Sequence, residues 1–412
     1  MRRPSPWLML VVLLAGILVL REPRFEQADD LFLRWLLEHS PAREGKPVPL
    51  TVVEISRDSF GDPNGGSERG GRQTSGDAVS PLEFALFLQS VLDFQPNVIA
   101  FENILKWRQR DKDQEQIFLD QAMRVPRLLL AAELSTTSDP DAPWGDIRGF
   151  PQVTGKRGDL ATFTGVGREP DEDLRLISTQ GFVNLPEEES SSVRVPLLFM
   201  YRGEVIPSFT LQAILLWLRV TPAEVKIDLG SQILLPQNRR IPIATDGTLL
   251  VNPNAGKSAR RIGLNDMLLA AQQRDTGNAA AQQFADLRDQ IILARTPQNP
   301  LSPPDIFAST IATIQSNEYL HRISHLFDCV MLLLITACVP WFHRFERVDL
   351  VLCGIAVTAA YCLLALATLT KWNLWLPGTL PLGALWLAIF ITFFFRQKDD
   401  APREIAIPPP IA

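Results

Sequence analysis

The apolar residues of this chain are concentrated in four runs. One, Trp7 to Leu20, lies near the start; Leu326 to Phe342, Leu350 to Thr370 and Leu374 to Phe395 lie near the end. A helix needs ~20 predominantly apolar residues to cross a bilayer. Between the first and second runs lie roughly 300 residues with no such stretch. The pattern predicts a large polar domain on one side of a membrane, anchored at both ends. The expected organisation is a cytoplasmic N-terminus at 1–6, a signal-anchor transmembrane helix at 7–21 and an outer domain at 26–323. Transmembrane helices at 326–342, 348–370 and 374–395 follow, then a cytoplasmic tail at 396–412.

Charge sets the sidedness. Basic residues in short loops stay cytoplasmic. Arg2 and Arg3 precede the first run, His343, Arg344 and Arg347 separate the second from the third, and Arg396 and Lys398 follow the fourth. With these inside, the large domain faces outward; Arg21 and Arg24 argue weakly the other way. The first run has the length of a signal-peptide core, but Leu18-Val19-Leu20-Arg21-Glu22-Pro23 offers no small-x-small cleavage site, so an uncleaved anchor is expected.

Net charge is -6 and the outer domain has no basic character, which excludes a nucleic-acid partner. All four cysteines (Cys329, Cys338, Cys353 and Cys362) fall in the expected spans, so the outer domain folds without disulfides. The membrane thiols read as small apolar packing residues.

Within the outer domain, strand and helix patterns alternate. Val48 to Ile55 is a β-branched strand, Pro81 opens a helix ending near Phe94, Asn97 to Leu105 is a second strand, Asp113 caps a second helix, and Val125 to Leu134 is a third strand. This alternation predicts an α/β outer domain with a mostly parallel central sheet. Ser135 to Leu176 shows no clear period. Short strands are expected at Gly181 to Asn184, Val193 to Met200, Val225 to Leu229, Gln232 to Leu235, Arg240 to Ile243, Thr248 to Asn252 and Gln290 to Ala294, with helices at Ser208 to Leu218 and Leu264 to Gln273. Asp305 to His321 reads as a helix that runs into the membrane.

In this order, these segments resemble the second type of CHASE domain, an extracytoplasmic sensor module of bacterial signalling proteins with one N-terminal and usually three C-terminal spans. The resemblance rests on VVEISRDSF (Val52 to Phe60), NVIAFENIL (Asn97 to Leu105), GFVN followed by an acidic turn and SVRVPLL (Ser192 to Leu198), DGTLLVN (Asp246 to Asn252), and LRDQIILA with the later PPDIFASTIATIQSNEYLHR. The candidate ligand-binding positions are Ser56, Ser59, Glu102, Asn103 and Arg194. The chain departs from the family pattern where Ser56 and Glu102 replace aspartates, where Ala294 stands for a usual Gly, and where the loop 61–79 is expanded. The resemblance also implies a cytoplasmic output domain, and no kinase or phosphate-loop motif occurs in this chain.

Ligands of parallel sheets bind beyond the carboxyl ends of the strands. Glu54 and Ser56, Glu102 and Asn103, Glu133, and Arg295 with Thr296 are therefore expected along one rim, where they either bind a cation or polyol or merely solvate strand ends. Glu54 and Glu102 raise glycosidase chemistry, but the sequence fixes no separation between them. The loop GDPNGGSERGGRQTSGD matches neither GxGxxG nor a phosphate loop. His321, His325 and Asp328 would share one helical face at the membrane, a spacing open to a metal but more simply an interfacial polar stripe.

The reading is a non-enzymatic, membrane-anchored sensor of a bacterial inner membrane, with its large domain in the periplasm or outside. It needs no cofactor and no metal, recognises an envelope ligand or partner, and acts through a separate output protein. The bilayer is its first partner, and a homodimer is open to it. The alternatives are a structural or scaffold envelope protein and an accessory membrane subunit of a transporter.

Overall fold

A computed structural model of the protein describes residues 6–21, 24–40, 47–55, 80–107, 112–137, 147–186, 193–275, 287–296, 305–342 and 345–399. The chain divides into two compact units, Arg43–Tyr319 and a second formed by Met1–Ala42 with Leu320–Ala412. The helix Arg24–His39 belongs to the second unit.

The first unit is built on a seven-stranded sheet. Its strands run in the order Arg260–Gly263, Leu50–Glu54, Ile291–Arg295, Val98–Phe101 and Leu128–Ser135, all parallel. Leu128–Ser135 then pairs parallel with Thr179–Phe182 and antiparallel with Gly165–Arg168. Residues two apart on a strand share a face, and here they also share a core. Leu50, Val52, Val98, Ala100, Leu129, Ala131, Ile291 and Leu293 enter one apolar cluster. Val53, Ile55, Ile99, Phe101, Leu128, Leu130, Ile292 and Ala294 enter the other. Burial on both faces explains why these strands read as unbroken apolar runs.

The helices Pro81–Leu92, Lys112–Ala122 and Leu264–Asp275 cover one face. Ser80 starts the first of these with a reciprocal capping box: its hydroxyl accepts from Glu83 N, and Glu83 Oε2 accepts from Ser80 N at 2.8 Å. Phe101 is fully buried beneath them, edge-on to Phe84, Phe87 and Phe118 at 5.5, 5.7 and 6.0 Å. The other face is covered by Phe209–Leu218 and Ile306–Ser316. The latter is buried from Ile306 through Gln315, all round its axis. Its close neighbour is Gly256: a Cβ there would stand 2.5 Å from Ser309 Oγ and 3.1 Å from Ser309 N.

Several expectations needed correction. The stretch 135–176, read as irregular, holds short strands at Gln152–Thr154, Thr162–Phe163 and Gly165–Arg168, and a helix at Glu172–Ile177. The single strand expected at 193–200 is two, Arg194–Pro196 and Leu198–Tyr201, which join different sheets. The edge strand Arg260–Gly263 was not foreseen, because RRIG carries one apolar residue. The helix expected from Asp305 to His321 stops at Ser316, where Asn317 turns left-handed with φ 60° and donates its N–H to Thr313 O. His321–Arg322 is a short strand instead, and a new helix begins at His325. His321, His325 and Asp328 therefore do not share one helical face.

The second unit contains helices Pro6–Arg21, Arg24–His39, His325–Phe342, Arg347–Trp372 and Thr379–Asp399. Among the described residues, one helix, Arg347–Trp372, is long and apolar enough by itself to cross a membrane; Met9–Leu18, Leu326–Phe342 and Thr379–Phe394 are shorter apolar helices. The last expected span is also shorter than read. Leu374–Trp375 is a strand paired parallel with His321–Arg322, and the helix starts only at Thr379.

Phe101→Ala would leave a cavity between three aromatic rings and should cost about 3–5 kcal/mol of stability, read from the denaturant midpoint of the full chain.

Candidate functional site

The parallel strands end on a common edge, and register decides which side chains meet there. Glu54 pairs with Arg295 across one ladder and with Gly263 across the other, while Ala294 pairs with Phe101. Arg295 is thus the last residue of the strand that lies between Leu50–Glu54 and Val98–Phe101. It is only 9% exposed. Its two Nη groups point different ways: one donates to Glu54 Oε1 and the other to Asp305 Oδ1. Arg261, from the edge strand, donates to Asp305 Oδ2 at 2.6 Å and stands 3.8 Å from Glu54 Oε1. Two guanidiniums and two carboxylates form a closed ring of alternating charge.

Asp305 has a particular place in this ring. It adopts φ 69°, left-handed, directly before the buried helix Ile306–Ser316, and its carbonyl accepts from Ser309 N at 2.8 Å. Burial pushes its carboxyl group up, but the hydrogen bond from Arg261 and the charges of Arg295 and Arg261 outweigh burial and hold it below the usual carboxylate range. Burial likewise disfavours the Arg295 cation, and Glu54 and Asp305 reverse that effect and raise it. The ring therefore ties three parallel strands, two of them at their carboxyl ends, to the start of the last helix of the unit.

Beside it lies a neutral clasp. Asn103 Nδ2 donates to Thr296 Oγ1 at 2.7 Å, and Asn103 Oδ1 accepts from Thr296 N at 3.0 Å. Glu102, between Asn103 and the strand end, is 3% exposed and donates its backbone N–H to Ala294 O at 3.0 Å. It is not the solvated rim residue that the sequence suggested.

The structure thus brings together Glu54 and Arg295, and separately Asn103 and Thr296. Glu133, also at a strand end, is paired with Arg168 on the antiparallel neighbour. Arg194 belongs to a two-stranded sheet, opposite Leu250. Ser56 and Ser59 lie outside the described residues. Sequence reasoning missed Arg261 and Asp305. Arg261 lacked a recognised strand, and Asp305 read as an ordinary helix start; only the left-handed turn and the distant partners reveal its role.

Two outcomes follow. Arg295→Met would leave Glu54 and Asp305 with Arg261 as their remaining cation and should destabilise the chain by about 2 kcal/mol. Because the Asp305 carboxyl group is held below its ordinary range in the folded state, its contribution is full above that range and is lost as pH falls below it through the lowered folded value. Acid unfolding followed by fluorescence should therefore be less steep in Asp305→Asn, whose side chain does not titrate.

The comparisons with known proteins fit this architecture. The family model for the CHASE2 domain matches residues 8–296, from the first helix to the residue after the Arg295 strand end. Searches of curated proteins and of solved structures found no match. With more than half its length matched, the chain belongs to the CHASE2 domain family, a family of extracytoplasmic sensory domains.

Proposed function

We propose that this protein is a membrane-anchored, non-enzymatic input module of a bacterial inner membrane, in which the unit Arg43–Tyr319 faces the periplasm or outside and recognises an envelope ligand or partner. The observation that carries the reading is the charge ring. A ligand competing for Arg295 or Arg261 acts directly on Asp305, and Asp305 opens the helix by which the chain leaves the unit. Binding at the strand ends and the position of that exit helix are then one equilibrium, and a ligand shifts it by its differential affinity for the two states. A separate output protein receives the change.

The helical unit supports the membrane anchoring. Its large apolar side chains turn outward: Leu326, Val330, Leu333 and Leu334 on one helix, and Val348, Leu352, Ile355, Leu363 and Leu364 on the next, are all more than half exposed. Such faces suit lipid and not water. Hydroxyls within these helices return to their own backbones, as Thr336 does to Leu332 O and Thr392 to Ala388 O, both at 2.7 Å. Four spans, at the helices Pro6–Arg21, His325–Phe342, Arg347–Trp372 and Thr379–Asp399, complete the proposed topology.

The closed charge balance of the ring favours one second reading, a structural envelope protein that binds no small ligand. A thermal-shift screen of the full chain against envelope fragments, sugars and divalent ions separates the two. A ligand at 100 times its Kd adds about 2.7 kcal/mol, and under the sensor reading Arg261→Gln abolishes that shift while the unliganded midpoint moves little. If no compound shifts the wild type, the structural reading stands. A reporter active only in the periplasm should work when fused after Asn254 and fail after Phe345 or Ala412; activity at Ala412 would overturn the topology.

A further inference from the structure

The helical unit holds charges where an apolar bundle has little reason to carry them. Asp328, in the first turn of His325–Phe342, is 1% exposed, and Asp29, on Arg24–His39, is 6% exposed. Arg322 joins them: its Nη2 donates to Asp29 Oδ2 at 3.3 Å and to Asp328 Oδ2 at 3.4 Å. The same guanidinium lies 5.6 Å from the ring centre of Trp375, which is itself buried. The other oxygen of Asp29 accepts from Gly378 N at 3.2 Å and Thr379 N at 2.8 Å, the amides that open the last helix. The backbone completes the arrangement: His321–Arg322 pairs with Leu374–Trp375, with His321 N donating to Asn373 O at 2.9 Å and Ile323 N to Trp375 O at 3.0 Å. Tyr361 fastens the same turn by donating to Pro377 O at 2.5 Å.

Ionisable groups buried in apolar helices are costly and mark functional positions. This one has a definite place in the chain. Arg322 follows the exit helix Ile306–Ser316 by six residues, just past the boundary of the outer unit at Tyr319. We propose that Arg322 is a coupling joint: one side chain that locks the segment leaving the outer domain to the helix Arg24–His39, to the start of His325–Phe342 and to the turn before the last helix. Under this proposal a displacement of the exit helix reaches the helical unit along the chain through the segment that Arg322 holds. The transmission role rests on the sensor reading given above; the lock itself does not.

The test uses the full chain in lipid nanodiscs and no ligand. The native cysteines are replaced by Ser, His321→Cys and Leu374→Cys place thiols on the paired strands, and a protease site inserted at 343–346 makes the cross-link visible as two fragments held together. Oxidation should join them readily in the parent. Arg322→Gln should slow cross-linking about tenfold, the factor that ~1.4 kcal/mol represents, while amide exchange in Leu50–Glu54 and Ile291–Arg295 stays unchanged. Asp29→Asn approaches the joint from the opposite partner and should act in the same direction, which keeps the test open should Arg322→Gln fail to insert. Unchanged cross-linking in the variants would overturn the proposal. So would a loss of protection throughout the outer domain, since Arg322 would then be a residue of general folding and not a joint. Either failure leaves the sensor reading to the thermal-shift screen, which does not depend on Arg322.

Discussion

The pairing of Arg295 with Asp305 is the interaction on which the outer unit's organisation turns. Arg295 ends the strand inserted between Leu50–Glu54 and Val98–Phe101, and Asp305 begins the helix that fills the opposite core. Neither charge is comfortable alone at that depth. A buried pair is weak as a net source of stability, but breaking it by removing one partner is costly. The result is positional. Glu54 and Arg261 balance the pair, so the ring has a preferred geometry, and that geometry fixes where the last helix starts.

What the helix does at its other end gives that position consequence. Ile306–Ser316 is buried on all sides, with Ser309 Oγ donating to Pro253 O at 2.9 Å and Gln315 Nε2 to Pro49 O at 3.1 Å. It has little freedom to deform locally, so a change at its start is carried as movement of the whole element. It ends at Asn317, and the chain then enters the segment that Arg322 secures. One charge cluster meets at the residue before this helix, and the other gathers around a residue six positions past its end in the chain.

Much of this was legible in the sequence, and for definite reasons. Strands buried on both faces announce themselves as apolar runs, and VVEI, NVIAF and QIILA each gave their strand within a few residues. Pro81 marked the start of its helix. Strand order was not legible, because Ile291–Arg295 reaches its place between the first two strands through pairings some 200 residues distant in sequence. The same separation hid the charge partners. Arg322 and Asp29 are 293 residues apart, and Arg295 and Glu54 are 241 apart. Periodicity also misled at 305–321, where DIFASTIATIQSNEYLH reads as one helix until Asn317 takes a left-handed turn that no apolar pattern reports. Glu102 read as a residue of an exposed rim because it follows a strand; burial that depends on distant neighbours is not visible in such a pattern.

The measurement that bears most directly on the account is hydrogen exchange across the full chain in lipid, comparing wild type with Arg295→Met. If the ring sets the position of the exit helix, amides from Phe307 to Thr313 should exchange markedly faster in the variant, while those of Pro81–Leu92, on the opposite face of the sheet, keep their wild-type rates. Equal acceleration on both faces would show that Arg295 supports the fold as a whole, and no acceleration at 307–313 would show that the helix is held without the ring. Either result would contradict the coupling of strand ends to exit helix.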